Sequence, residues 1–176
     1  PSGGFWQTHD GGQTWESYTD ILPTLGVSAI AVDYANPDVI YMGTGDRDAG
    51  DAPGLGVWKS LNGGYSWEVS SNGMGNATVG RLLIHPGFNN IILAATSNGF
   101  YKSVDAGANW VKKANGNFKE VVFKPGNPDI VYAAVGGTFY RSTDNGETFT
   151  VISNGLSGGS RGRSEEHTSE LQSRQS

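Results

Sequence analysis

The sequence predicts an all-β fold of repeated four-stranded antiparallel sheets, and three observations carry that prediction. The first is composition: the 176 residues hold 27 Gly, 5 Trp, 7 Tyr and 7 Phe but only 16% charged residues. That balance is rich in turn formers and aromatics, and it suits short strands better than helices. The second is a phrase that occurs four times: GFWQTHDGGQTW at 4–15, GVWKSLNGGYSW at 56–67, GFYKSVDAGANW at 99–110 and FYRSTDNGETF at 139–149. Its acid or amide falls at Asp10, Asn62, Asp105 and Asp144, at spacings of 52, 43 and 39 residues, the size of one repeating supersecondary unit. The third is a phrase preceding the last three copies: SAIAVDYANPDVIYMG at 28–43, GRLLIHPGFNNIILA at 80–94 and KEVVFKPGNPDIVYAA at 119–134. Each reads strand, turn, strand.

Within the second phrase, Val, Ile and Tyr fit a pleated surface, and Pro after Asn is expected to set the turn because its ring fixes φ and pushes the preceding residue out of the helical region. Pro and Gly punctuation excludes a helix. The expected strands of the first complete unit are 27–32, 39–43, 57–60 and 66–70. Those of the second are 79–84, 91–95, 100–103 and 109–112, and those of the third are 118–123, 130–134, 139–142 and 148–152. Residues 4–18 hold only the last two strands of an earlier unit. Units of about 40 residues with four strands each describe a partial β-propeller, here three complete blades (27–70, 79–112, 118–152) plus half a blade (4–18).

The repeated phrase resembles the Asp-box, or bacterial neuraminidase repeat, of sialidases, sortilin-type propellers, xyloglucan-cleaving glycoside hydrolases and photosystem II assembly factors. The resemblance covers residues 4 to about 153. Asp10, Asn62, Asp105 and Asp144 are expected to accept backbone N–H bonds inside tight hairpins, with Gly12, Gly64, Gly107 and Gly146 supplying a positive φ. Trp15, Trp67, Trp110 and Phe149 are expected on the outermost strands, where burying each large ring contributes about 2 kcal/mol. One acid or amide per blade does not converge on a shared substrate, and an amide at Asn62 forms turns but is no catalytic acid, so these positions read as structural.

Function in such a fold belongs to the loops between the second and third strands and to the inter-blade loops. One of these, TGDRDAGDAPGLG at 44–56, is longer than its counterparts at 96–99 and 135–137 and carries Asp46, Asp48 and Asp51. It reads as a solvated Gly-rich insertion, as a calcium loop whose carboxylates alternate without the EF-hand spacing, or as a ligand loop. The resemblance to xyloglucan-cleaving propellers adds a catalytic candidate, because there an acidic residue follows the second strand, as Asp46 does here. Glycoside hydrolysis uses two carboxylates flanking the sugar, and only one candidate is present. Sialidase chemistry fits less well, since the repeats contain only Arg47, Arg81 and Arg141 and lack an Arg-Ile-Pro segment. His9 and His85 read as a turn residue and a strand-end residue, with no partner His at metal-ligand spacing.

There is no Cys, so disulfide, thiolate-metal and cysteine-nucleophile chemistry are excluded. Formal charge is −5, and the one adjacent basic pair in the repeats is Lys112-Lys113, which argues against a nucleic-acid partner. Apolar runs such as 91–95 are strand-sized, so no membrane span is expected. Residues 1–160 are read as the propeller fragment. Residues 161–176 are read as a disordered tail, and 163–173 resemble an in-frame translation of a sequencing adapter, which implies an artefact. The resemblance implies an extracellular or cell-surface location, with the rest of the propeller in the parent chain. The favoured function is a non-catalytic module binding a peptide or polysaccharide through its loop face. The alternative is a fragment of a hydrolase acting on xyloglucan or β-glucan.

Overall fold

A computed structural model of the chain describes residues 3–48 and 50–153. These form fourteen strands: β1 (Trp6–Gln7), β2 (Glu16–Ser17), β3 (Val27–Val32), β4 (Ile40–Thr44), β5 (Val57–Ser60), β6 (Glu68–Val69), β7 (Val79–His85), β8 (Phe88–Thr96), β9 (Gly99–Ser103), β10 (Val111–Ala114), β11 (Phe118–Lys124), β12 (Asn127–Val135), β13 (Thr138–Ser142) and β14 (Thr150–Ile152). All neighbours pair antiparallel in chain order, giving the two-stranded sheet β1-β2 and the four-stranded sheets β3-β4-β5-β6, β7-β8-β9-β10 and β11-β12-β13-β14. The expected tail at 161–176 lies outside the described residues, as do 154–160.

Each sheet stacks on the next, and the apolar core sits between sheets. Phe5, Ile40, Met42 and Trp67 fill the first gap. Tyr41, Val57, Val79, Ile92, Tyr101 and Trp110 fill the second, and Leu93, Phe100, Phe118, Val121 and Val131 fill the third. The first strands of successive sheets, β3, β7 and β11, pack side by side and bring the sheets together at one edge. Gly43 permits the close approach: a Cβ there would lie 2.7 Å from Val79 Cβ.

The phrase turns are built alike. Oδ1 of Asp10, Asn62, Asp105 and Asp144 accepts the backbone N–H of Thr14 (2.9 Å), Ser66 (2.9 Å), Asn109 (2.8 Å) and Thr148 (2.9 Å). Two residues earlier, the hydroxyls of Thr8, Ser60, Ser103 and Ser142 accept the N–H of the turn glycines Gly12, Gly64, Gly107 and Gly146. Those glycines have φ of +90°, +93°, +84° and +78°. The residue before each is left-handed as well, including the non-glycines Ala106 and Asn145, both at +56°.

Three expectations need correction. The four aromatics do not lie on the outermost strands: Trp15, Trp67, Trp110 and Phe149 each come one residue before β2, β6, β10 and β14. Three of them turn toward the preceding sheet. Trp67 meets Phe5 edge-on at 5.2 Å, Trp110 donates from Nε1 to the Ser70 carbonyl at 2.6 Å, and Phe149 packs on Phe100 at 4.7 Å. Trp15 has no preceding sheet among the described residues and is 56% exposed. Finally, in the last sheet the turn falls at Pro125-Gly126, with Gly126 at φ +77°, and Asn127-Pro128 opens β12 instead. Pro at the first central position and a left-handed Gly at the second suit a type II turn, so Pro128 is left at a strand start where no ladder N–H is needed.

Candidate functional site

The 44–56 loop is folded down rather than projecting. The Asp46 N–H donates to the Ala52 carbonyl, and the Thr44 hydroxyl accepts the Leu55 N–H and donates to the Gly56 carbonyl. Asp46 is 4% exposed; its Oδ1 accepts the Asp48 N–H at 2.9 Å and its Oδ2 the Asp51 N–H at 3.4 Å. A carboxylate bonded this way organises its own loop, as an Asx turn does. Arg47 extends across the first strands of two later sheets, donating to the carbonyls of Gly80 (3.3 Å) and Lys119 (2.8 Å), and it also pairs with Asp48 at 3.6 Å. Asp48 and Asp51 are exposed. Among the described residues no group of three His, Asp or Glu side chains is placed to hold a metal ion, so the three acids do not form a ready carboxylate cage for calcium.

A concavity of about 830 Å³ opens between β3 and β7, toward the ends of those strands away from the 44–56 loop. Ile30, Val32, Tyr34, Arg81, Leu83 and His85 are among its lining residues. Sequence reading missed it, because it is made by two first strands 50 residues apart, and no local motif marks such a meeting. Asp33 at its edge accepts the Ala35 N–H and the Asn89 side-chain amide, tying the two turns together. His85 is buried, with Nδ1 accepting the Gly87 and Phe88 N–H groups at 3.0 and 3.1 Å, so Nε2 carries the proton. Burial pushes its pKa below the ordinary imidazole value. His9 stacks on Tyr65 of the next sheet at 5.8 Å. Both histidines therefore serve packing and turns.

No protein-family description matches the chain. A xyloglucanase from a Paenibacillus species is 28% identical over 125 residues, which is 62% of this chain and 12% of the enzyme. The crystal structure of an ancestral GH74 enzyme matches with a TM-score of 0.73 at 21% identity, over 88% of this chain and 22% of that one. The GH74 xyloglucanase from Xanthomonas campestris matches with a TM-score of 0.66 at 23% identity, over 89% of this chain and 28% of that one. The fold is a partial β-propeller. Its sheets are blades, β3, β7 and β11 are the strands nearest the axis, and the 44–56 loop lies over the axial end of the second blade. The chain spans about an eighth of the curated relative it matches.

Proposed function

We propose that the chain is a polysaccharide-binding segment of an exported β-propeller protein built from Asp-box repeats, and that it is not itself a catalyst. The reading is carried by one observation: Asp46, the candidate acid, is buried with both carboxylate oxygens committed to loop N–H groups, while Asp48 and Asp51 beside it face solvent. Exposed carboxylates next to a guanidinium suit the hydroxyl-rich surface of a β-glucan chain: the carboxylates accept hydrogen bonds from sugar hydroxyls and the guanidinium donates to sugar oxygens. Likeness to a xyloglucanase supports a glucan of that kind over a peptide.

A second reading, hydrolysis with Asp46 as one of two carboxylates, draws on the same relative; its partner acid would come from elsewhere in a parent chain. Titration calorimetry with xyloglucan oligosaccharides separates the two. Binding by the chain, weakened about tenfold or more in Asp48→Ala/Asp51→Ala and accompanied by no release of reducing sugar, is the expected result. Absence of binding retires the proposal. Sugar release that disappears in Asp46→Asn replaces it with the hydrolase reading.

A further inference from the structure

The joint between the first two sheets carries three aromatic rings at its outer rim. Tyr65 belongs to the phrase turn that leads into β6, His9 to the one that leads into β2, and Tyr18 directly follows β2. The His9 ring lies parallel to that of Tyr65, with an interplanar angle of 2° and a centroid distance of 5.8 Å, and Tyr18 leans on Tyr65 at 4.9 Å. All three are exposed, Tyr65 by 49%. Polar groups fix the rings at their edges. His9 Nε2 lies 3.3 Å from both the Tyr65 hydroxyl and the Gln7 side-chain nitrogen, and the Tyr18 hydroxyl donates to Glu16 at 2.5 Å.

The same place is open to solvent at the other joints. Tyr65 holds the phrase position of Ala108 and Glu147, and Tyr18 holds that of Lys113. Ala108 and Glu147 are exposed as well, each between two four-stranded sheets, so Tyr65 owes its openness to its place in the turn. At the last joint the position is closed by charge, with Glu147 pairing to Lys102 and Lys113 at 2.7 and 2.5 Å. At the first joint it presents ring surface to water instead, apolar area that a ligand gains by covering.

Charge narrows the ligand. The first 46 residues contain neither Lys nor Arg. A nucleic acid or an acidic polysaccharide could stack on the rings but would find no counter-charge beside them. A neutral sugar offers an apolar ring face to Tyr65 and Tyr18, and hydroxyls at its edge that donate to the Glu16 carboxylate and exchange hydrogen bonds with the Gln7 amide. A proline-rich peptide also lies on aromatic rings, yet its prolines have no N–H to give to a carboxylate that only accepts. We propose that this rim binds a neutral glycan, stacked on Tyr65 and Tyr18, as a second surface separate from the 44–56 loop. The two lie at opposite ends of β5, which runs from Val57 beside the loop to Ser60 before the turn. The proposal rests on the glucan reading of the chain only for its choice of sugar.

Titration calorimetry of the full chain with xyloglucan oligosaccharides tests it in the Asp48→Ala/Asp51→Ala background, where the loop no longer contributes. Residual binding is expected there, weakened about fivefold or more by Tyr65→Ala or by Tyr18→Ala. Tyr65→Phe should retain it, and the β circular dichroism spectrum should be unchanged in every variant. No residual binding, residual binding indifferent to both tyrosine truncations, or uptake of a polyproline peptide without uptake of the sugar overturns the proposal. Binding that is lost in Tyr65→Ala but untouched by Asp48→Ala/Asp51→Ala leaves this surface standing and retires the loop-face reading instead.

Discussion

Two of the turn carboxylates are held well into the acid range. Hydrogen bonds from the Thr14 backbone, the Thr14 hydroxyl and the Thr8 hydroxyl lower the Asp10 pKa from 3.8 to about 2, and those from Ser142 and Thr148 do the same for Asp144. A carboxyl whose folded pKa is depressed stabilises the fold above its unfolded value and loses that contribution as protons bind. The unfolding temperature should therefore fall as pH drops from about 4 to about 2, a trend readable by calorimetry across that window. Asp144→Asn should flatten it, because Asn62 already shows that an amide accepts the same turn N–H and donates to the following hydroxyl at 2.9 Å. At this scale the sequence was highly legible: acid, glycine and hydroxyl recur at fixed offsets and each takes the place its chemistry requires. What the aromatics touch was not legible. Trp15 and Trp67 occupy the same position in the phrase, yet one is exposed and the other buried, and only the presence of a preceding sheet decides which.

Strand centres were equally readable, strand ends less so. The expected strands at 27–32 and 57–60 coincide with β3 and β5, whereas β8 and β12 begin three residues earlier than expected, at Phe88 and Asn127. Tight Pro-Gly turns allow the ladders to run almost to the hairpin tip, a property of turn geometry that β-propensity does not report. β4 illustrates how packing overrides propensity: all five residues are buried, and Gly43 is the fourth of them although glycine weakens strands. The reason is the neighbouring blade, since Val79 Cγ1 would lie 2.7 Å from any Cβ at that position. Gly43→Val should destabilise the protein by about 1–3 kcal/mol through overpacking, despite valine's better strand propensity, with the midpoint of urea unfolding as the measurement.

Across the whole molecule, each blade leans chiefly on its neighbours, so stability should be distributed as in other stacked-repeat proteins, with nearest-neighbour terms dominating. Amide hydrogen exchange is expected to be fastest in the two-residue strands β1 and β2 and slowest in β8 and β9, whose Ile92, Leu93, Ala94 and Phe100 are wholly buried. Uniform protection from one sheet to the next would contradict that gradient. The shallow cleft between β3 and β7 belongs to this scale too, which is why no local motif announced it. One side chain departs from the nearest-neighbour scheme. Arg47 leaves the second blade, touches the third at Gly80 and anchors on Lys119 of the fourth sheet. A loosening of β11 thus removes the mooring of the loop that carries Asp46, Asp48 and Asp51, making the far end of the stack a lever on a segment two sheets away in the fold's order of blades.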